Sequence, residues 1–330
     1  MSSRGRTASQ VSTEPRADVR VPRQLKAGGA ALAAPGARRV TRRRGRRRPA
    51  NQLLPRWATW LIRSALCVFV AIPVLYLLVL SVSPEQDVDA GDLVPARLAF
   101  GNYAAVWSEI GLLRGFANSL LVCGCAAAVS VLVATAAAYP LTRYRFRGSG
   151  PLFYGSLGLQ LVPGPMLLIP LFVLYSMLRA TVGVQIIGSY WGLVITYTGF
   201  SLPLAIWLMT GYVRTIPHSL DEAVRIDGGS GVTVFRRVIL PLAVPGMVVA
   251  FVLSLLLGWN DVLFASVLTS PATRTAAVDL QLYTLAQGDN LQPEYAHLMA
   301  AGVIMALPVV VVYLGLQRYL VGGLAAGAVK

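Results

Sequence analysis

Six stretches of this 330-residue chain hold no Asp, Glu, Lys or Arg over at least 21 consecutive positions: 64–84, 115–142, 148–178, 180–213, 238–260 and 295–317. No other charge-free gap exceeds 12 residues. A helix rises about 1.5 Å per residue, so about 20 apolar residues cross a hydrocarbon core. Each stretch can hold one spanning helix, and an all-α integral membrane protein with six spans is expected. Charged residues make up only 13% of the chain, against roughly 25% in an ordinary soluble domain, and the mean hydropathy is +0.62.

The net charge of +15 is unevenly placed. Residues 1–56 carry 15 Lys and Arg against Glu14 and Asp18, include the run Arg42, Arg43, Arg44, Arg46, Arg47 and Arg48, and show no apolar periodicity. That segment reads as a disordered basic tail that satisfies the positive-inside rule and touches anionic lipid. It contains no aromatic residue, so the interleaved stacking side chains of a nucleic-acid binder are missing and no nucleic-acid partner is expected. The first apolar run and its basic leader are both too long for a cleaved signal peptide, despite Ser81-Val82-Ser83 after the run.

Counting Lys and Arg between spans sets the orientation. Segments 85–114 and 261–294 are dominated by acids, the latter by Asp261, Asp279, Asp289 and Glu294. Arg143, Arg145 and Arg147 mark one inner turn, and Arg214, Arg225, Arg236 and Arg237 mark another. Arg318 and Lys330 follow the last span. Both termini are therefore expected on the cytoplasmic side of the cell inner membrane.

Composition removes several chemistries. Cys67, Cys123 and Cys125 all lie in apolar stretches, and His218 and His297 are the only histidines, so no metal site is expected. The C-x-C pair reads as small packing residues. Lys26 and Lys330 are the only lysines and neither follows a glycine-rich phosphate loop. The chain is expected to hydrolyse no ATP, to hold no cofactor and not to be an enzyme. Prolines 73, 163, 165, 170, 203, 245 and 308 fall in the apolar stretches and require neighbouring helices or water to satisfy freed carbonyls. The runs Ala126-Ala127-Ala128 and Ala136-Ala137-Ala138 permit close helix approach.

The inner segment from Ile216 to Pro241 carries the most specific pattern. Ser219 followed by Glu222 has capping-box spacing, which predicts a short helix starting at Leu220. Asp227-Gly228-Gly229 supplies a turn in which positive φ costs little. Val232–Val238 predicts a second short helix before Pro241 opens the next span. The expected product is an exposed helical knuckle.

These residues resemble the permease subunits of ATP-binding-cassette importers, whose motif reads E-A-A, three residues, G, nine residues, I-x-L-P. Glu222, Ala223 and Val224 fill the triplet, Gly228 follows after three residues, and Val238-Ile239-Leu240-Pro241 closes the pattern. Val224 and Val238 depart from it by mild apolar swaps. The resemblance covers about 57–330. Trp259-Asn260-Asp261, Asn102-Tyr103 and the ending Gln317-Arg318-Tyr319 with Gly322-Gly323-Leu324 narrow it to carbohydrate importers of the maltose type.

The resemblance implies a type I importer permease fold over 57–330 and a coupling loop, 214–241, seated in a separate ATPase. Glu222, Ala223, Asp227, Gly228, Leu240 and Pro241 would carry that contact. It also implies a second permease subunit, an ATP-binding subunit dimer and an extracellular sugar-binding protein, with a carbohydrate as substrate. Trp259, Asn260 and Asp261 form the densest polar and aromatic cluster at a span end, and read either as a substrate path or gate or as an interface anchor with a helix cap. Gln160, Tyr197 and Asn118 read as interhelical hydrogen bonders. The alternative function, an ion-coupled secondary transporter, would need ionisable groups deep in the spans, and none lies there.

Overall fold

The computed structural model describes residues 55–92, 94–286 and 294–328. The tail with its arginine run, Asp289 and Lys330 lie outside the described residues. The described residues from Trp60 onward form one compact unit, and no strand occurs among the described residues.

Six helices are long and apolar enough to cross a membrane: α1 (Arg56–Ser81), α4 (Leu112–Arg143), α6 (Gly164–Val182), α7 (Tyr190–Val213), α10 (Leu240–Trp259) and α13 (Tyr295–Ala328). Between them lie α2 (Glu85–Ala90), α3 (Gly101–Ser108), α5 (Ser149–Leu159), α8 (His218–Ile226), α9 (Gly231–Val234), α11 (Leu263–Leu268) and α12 (Ala276–Ala286). The apolar stretch 148–178 is not one helix as the charge count implied. It breaks between Leu159 and Gly164 into α5 and α6. Pro163 biases Val162 away from helical φ and ψ, and Pro165 supplies the fixed φ that suits the first turn of α6. The third span is consequently displaced to Gly164–Val182 and takes in Arg179.

α4, α7 and α10 pack on one another and form the core. Ala126, Ala127 and Ala138 of α4 are each at most 1% exposed, so half of the two alanine runs faces a neighbour at close range, and Ala134 between the runs is buried as well. Glycines on α10 receive rings from α7. A Cβ on Gly258 would lie 2.7 Å from the Tyr197 ring, and one on Gly246 would lie 2.6 Å from that of Tyr212. Polar pairs add direction: Ser130 to Ser201, and Tyr175 to Thr196 at 3.0 Å. Cys123 is buried and Cys125 exposed, as two residues of separation on a helix requires.

The two ends of the bundle are closed by different means. At the end holding the N-termini of α4 and α7, side chains cap helices from a distance. Asn102 donates to the carbonyls of Ser81 and Ser83 at 3.1 and 2.9 Å, closing the C-terminal end of α1. Tyr103 reaches Ser81 Oγ at 2.8 Å. Glu85 accepts from the backbone N–H groups of Tyr295 and Ala296 at 2.7 and 2.9 Å, at the start of α13. Burial pushes the Glu85 carboxyl above its ordinary pKa, against the pull of those two donors. Asn118 donates to the carbonyls of Ala272 and Arg274 and accepts from Tyr190.

Candidate functional site

The opposite end of the bundle carries the knuckle. α8 starts at His218 with Pro217 at the N-cap, and no side chain caps it. The capping box predicted at Ser219 and Glu222 does not form, because Pro217 ends the preceding turn and puts Ser219 inside the first helical turn. The side-chain cap belongs instead to Ser230, which accepts from the Thr233 N–H at 3.3 Å at the start of α9.

α8 ends in a Schellman turn. Gly228 N–H bonds the Arg225 carbonyl at 3.0 Å and Gly229 N–H bonds that of Val224 at 2.8 Å. Gly228 occupies the left-handed position with φ +81°, where glycine alone carries no Cβ penalty. The expected positive φ is therefore present, with a helix-terminating function.

The predicted second helix, Val232–Val238, is not separate. α9 passes through a π turn, Phe235–Ile239, directly into α10. Leu240 N–H reaches the Phe235 carbonyl five residues back. A widened turn beside Pro241 relieves the clash between the proline ring and the carbonyl four residues earlier, so the helix continues where a break was expected. Leu240 and Pro241 thus sit in the first turn of the fifth span, not at the tip of the knuckle.

Glu222, Ala223, Asp227 and Gly228 are exposed on the knuckle. Three large apolar side chains are exposed with them: Ile226 at 85%, Val232 at 67% and Leu220 at 40%. On a short polar loop, apolar exposure of that kind is a feature of a docking surface.

Sequence reasoning missed how the knuckle is held. Arg143, at the end of α4, pairs through Nε with Asp221 of α8 at 2.7 Å, the two side chains being 2% and 7% exposed. Its guanidinium also donates to the Ile216 carbonyl at 2.8 Å and lies 3.0 Å from His218 Nε2. Tyr144, the next residue, takes Arg225 over its ring at 5.8 Å. The Tyr139 ring packs on Tyr144 and Phe235, each at 5.7 Å. In the sequence Arg143 is only one positive charge of an inner turn. Its partner lies 78 residues away, and no local spacing signals it.

The second candidate cluster lies at the other end of α10. Trp259 is 4% exposed, donates to the Met305 carbonyl at 3.2 Å and packs edge-on against Phe116 at 5.8 Å. Asp261 caps α11 by accepting from the N–H groups of Phe264 and Ala265, and takes a third hydrogen bond from Tyr197 at 2.8 Å. Asn260 is exposed, its amide turned back to the Leu256 carbonyl at 3.0 Å. The three are contiguous but point to different partners. Of the three expected interhelical hydrogen bonders, Asn118 of α4 meets Tyr190 of α7, Tyr197 bonds Asp261 in the loop after α10, and Gln160 is exposed at the end of α5. Away from both clusters, Glu109, Glu294 and His297 bring ligand-type atoms within 4.8 Å of one another.

Residues 50–325 match the family described as binding-protein-dependent transport system inner membrane component. Among its relatives are the trehalose transport system permease protein SugB of Mycobacterium tuberculosis, 33% identical over 82% of this chain and 97% of its own length, and the maltose/maltodextrin transport system permease protein MalG of Vibrio vulnificus, 32% identical over 83% of this chain and 95% of its own. A solved bacterial ABC transporter involved in import of the acidic polysaccharide alginate contains a chain with the same fold, at 22% identity and TM-score 0.65, covering 81% of this chain and 98% of that one. Motif, six spans and relatives converge, and the ion-coupled alternative falls away: the chain belongs to the family of inner-membrane components of binding-protein-dependent transport systems.

Proposed function

We propose that this chain is the permease subunit of an ATP-driven importer for a carbohydrate, with both termini in the cytoplasm and the knuckle of loop 214–241 seated in a separate ATPase. The relatives named for trehalose and maltodextrin transport support the substrate class. A second permease subunit, a pair of ATP-binding subunits and an extracellular sugar-binding protein complete the assembly. Residues 57–330 form its transmembrane domain, and the basic tail 1–56 serves topology and lipid contact.

The observation that carries the reading is the exposed knuckle, braced against α4 by a buried ion pair. A docking element fixed in this way transmits a push from its partner to the spans instead of flexing on its own. Glu222 and Asp227 offer carboxylates to the ATPase, Ala223 and Ile226 offer apolar contact, and Gly228 sets the bend. Leu240 and Pro241 pass the displacement into the fifth span. At the far end of that span, Asn260 presents an amide beside the Trp259 and Asp261 contacts, which fits a substrate path or gate.

Gly228→Val tests this reading. A β-branched residue opposes φ +81° and fills space that the partner occupies, while the spans, packed elsewhere, still assemble. Co-purification of the ATPase, or its stimulation by sugar-loaded binding protein in proteoliposomes, should fall at least about tenfold, equivalent to roughly 1.4 kcal/mol. Association and turnover at the unsubstituted level would show that this loop is not the coupling element.

A further inference from the structure

The gap between α5 and α6 falls in the middle of a span. Its charge-free stretch, 148–178, is bounded by Arg147 and Arg179, and the residues from Gln160 to Pro163 sit near its centre. Packing gives the same depth. Near the start of α5 the Phe153 ring lies 5.9 Å from the guanidinium of Arg214, at the end of α7. Further along the chain Gly164, the first residue of α6, lies beside the Phe264 ring, which a Cβ on it would approach to 3.6 Å. Phe264 in turn packs at 4.9 Å on Phe200, close to the midpoint of the 24-residue α7. α5 therefore climbs alongside α7 from its end to its middle, and the chain between α5 and α6 runs at mid-membrane depth.

At that depth the backbone is short of donors. The N–H groups of Gln160, Leu161 and Val162 turn back to the carbonyls of Leu157, Gly158 and Leu159. The carbonyls of Gln160, Leu161 and Val162 themselves accept no hydrogen bond among the described residues. Pro163 and Pro165 have no N–H to offer, and the Met166 N–H is spent on the Pro163 carbonyl. The Gln160 side-chain amide also makes no hydrogen bond among the described residues. Gly158 to Pro163 are all exposed, and a Cβ on Gly155 or Gly158 would meet nothing within 4 Å. Irregular backbone of this kind does not face lipid; it lines a watery cavity or is covered by protein. A neighbouring helix spends its N–H groups on its own carbonyls, so its backbone supplies none of the missing donors. Three bare carbonyls and an amide that both gives and accepts have as their complement a molecule with several hydroxyls. Resting on the carbohydrate-permease reading above, we propose that the break at Gln160–Pro163 is a sugar subsite of the translocation path. Hydroxyls of the passing sugar donate to the carbonyls of Gln160, Leu161 and Val162, and the Gln160 amide donates to a sugar oxygen. Neutral hydrogen bonds suit a path, since they orient the sugar and still release it.

The complete importer carrying Gln160→Cys is placed in lipid nanodiscs and treated with a water-soluble, membrane-impermeant methanethiosulfonate, and labelling of each thiol is read by mass spectrometry. Cys67, exposed midway along α1, sets the background rate. The introduced thiol should react at least about tenfold faster than Cys67, because the reactive thiolate forms in water and not in hydrocarbon. Trehalose or maltose, whichever the importer takes up, should slow that reaction about tenfold, as expected when a bound sugar covers the site nine-tenths of the time or more. Gln160→Leu should lower the sugar imported per ATP about tenfold, the upper end for one neutral hydrogen bond, while ATP turnover still rises with loaded binding protein. Gln160→Asn, which keeps the amide, should restore most of the import. Labelling no faster than that of Cys67 would put the break against lipid or a neighbouring helix and overturn the proposal. Labelling that sugar leaves unchanged, or unaltered import per ATP in Gln160→Leu, would overturn it as well. Any of these results in an importer that takes up trehalose or maltose leaves the carbohydrate reading standing, whereas an unsubstituted importer that takes up neither counts against that reading and removes both sugars as ligands of the break.

Discussion

A Cβ on Gly228 would meet no atom within 4 Å, whereas one on Gly229 would lie 2.7 Å from the Val224 carbonyl oxygen. The first position is constrained by its dihedral alone and the second by its neighbour. Asn tolerates the left-handed region, so Gly228→Asn should preserve the turn. Gly229→Ala must push away the carbonyl that its own N–H bonds, and the Schellman turn opens. Hydrogen exchange over residues 220–234 should therefore rise about tenfold for Gly229→Ala, an opening free energy lower by about 1.4 kcal/mol, and stay near the unsubstituted rate for Gly228→Asn. The reverse order would mean that sterics at Gly229 do not set the bend. The sequence disclosed the turn because a Gly-Gly pair after Asp is a strong local signal. It misdirected the cap. Ser219 and Ser230 both have the residue type of a cap, but α8 already starts at His218 after Pro217, so Ser219 lies inside the helix and only Ser230 caps one.

Between elements, the decisive contact is Arg143 with Asp221. A buried pair is costly to break by halves: removing one partner strands the other charge, at about 3–5 kcal/mol. Asp221→Asn should detach α8 from α4 without unfolding the bundle, since α4, α7 and α10 hold one another through contacts along their whole length. The expected outcome is protease sensitivity confined to 214–237 and an ATPase that still binds but no longer responds to loaded binding protein. Exchanging the charges, Arg143→Asp with Asp221→Arg, should restore part of the response, whereas each single reversal should not. Failure of the exchange together with intact coupling in Asp221→Asn would leave the pair without a transmitting function. This contact was illegible for the same reason that the spans were plain. Hydropathy is a sum over consecutive residues and survives any folding, while a pair 78 positions apart exists only after α4 and α7 have packed. The break at 160–163 is legible in part: Pro163 and Pro165 stand in the sequence, but a charge count weighs them as nothing.

At the scale of the whole molecule the six spans are unequal. The most apolar windows of the second, fourth and fifth spans are 44, 50 and 39% buried, against 11, 6 and 17% for the first, third and sixth. α1, α6 and α13 therefore present long apolar faces outward, to lipid or to another subunit, and lipid alone gives such faces no hydrophobic reason to associate. The chain also holds no nucleotide-phosphate loop, its lysines being Lys26 and Lys330. An exposed knuckle at one end and outward apolar helix faces fit the proposal that this chain is one part of an assembly. Reconstituted alone into liposomes, the full chain should neither hydrolyse ATP nor accumulate labelled trehalose or maltose. Adding the ATPase subunits and the second permease should give ATP turnover that rises with sugar-loaded binding protein, and the rise should be lost with Gly228→Val while the chains remain co-inserted. Sugar uptake by the chain alone would contradict both the missing phosphate loop and the function assigned to the knuckle, because a self-sufficient carrier has no use for an exposed Ile226 braced by a buried ion pair.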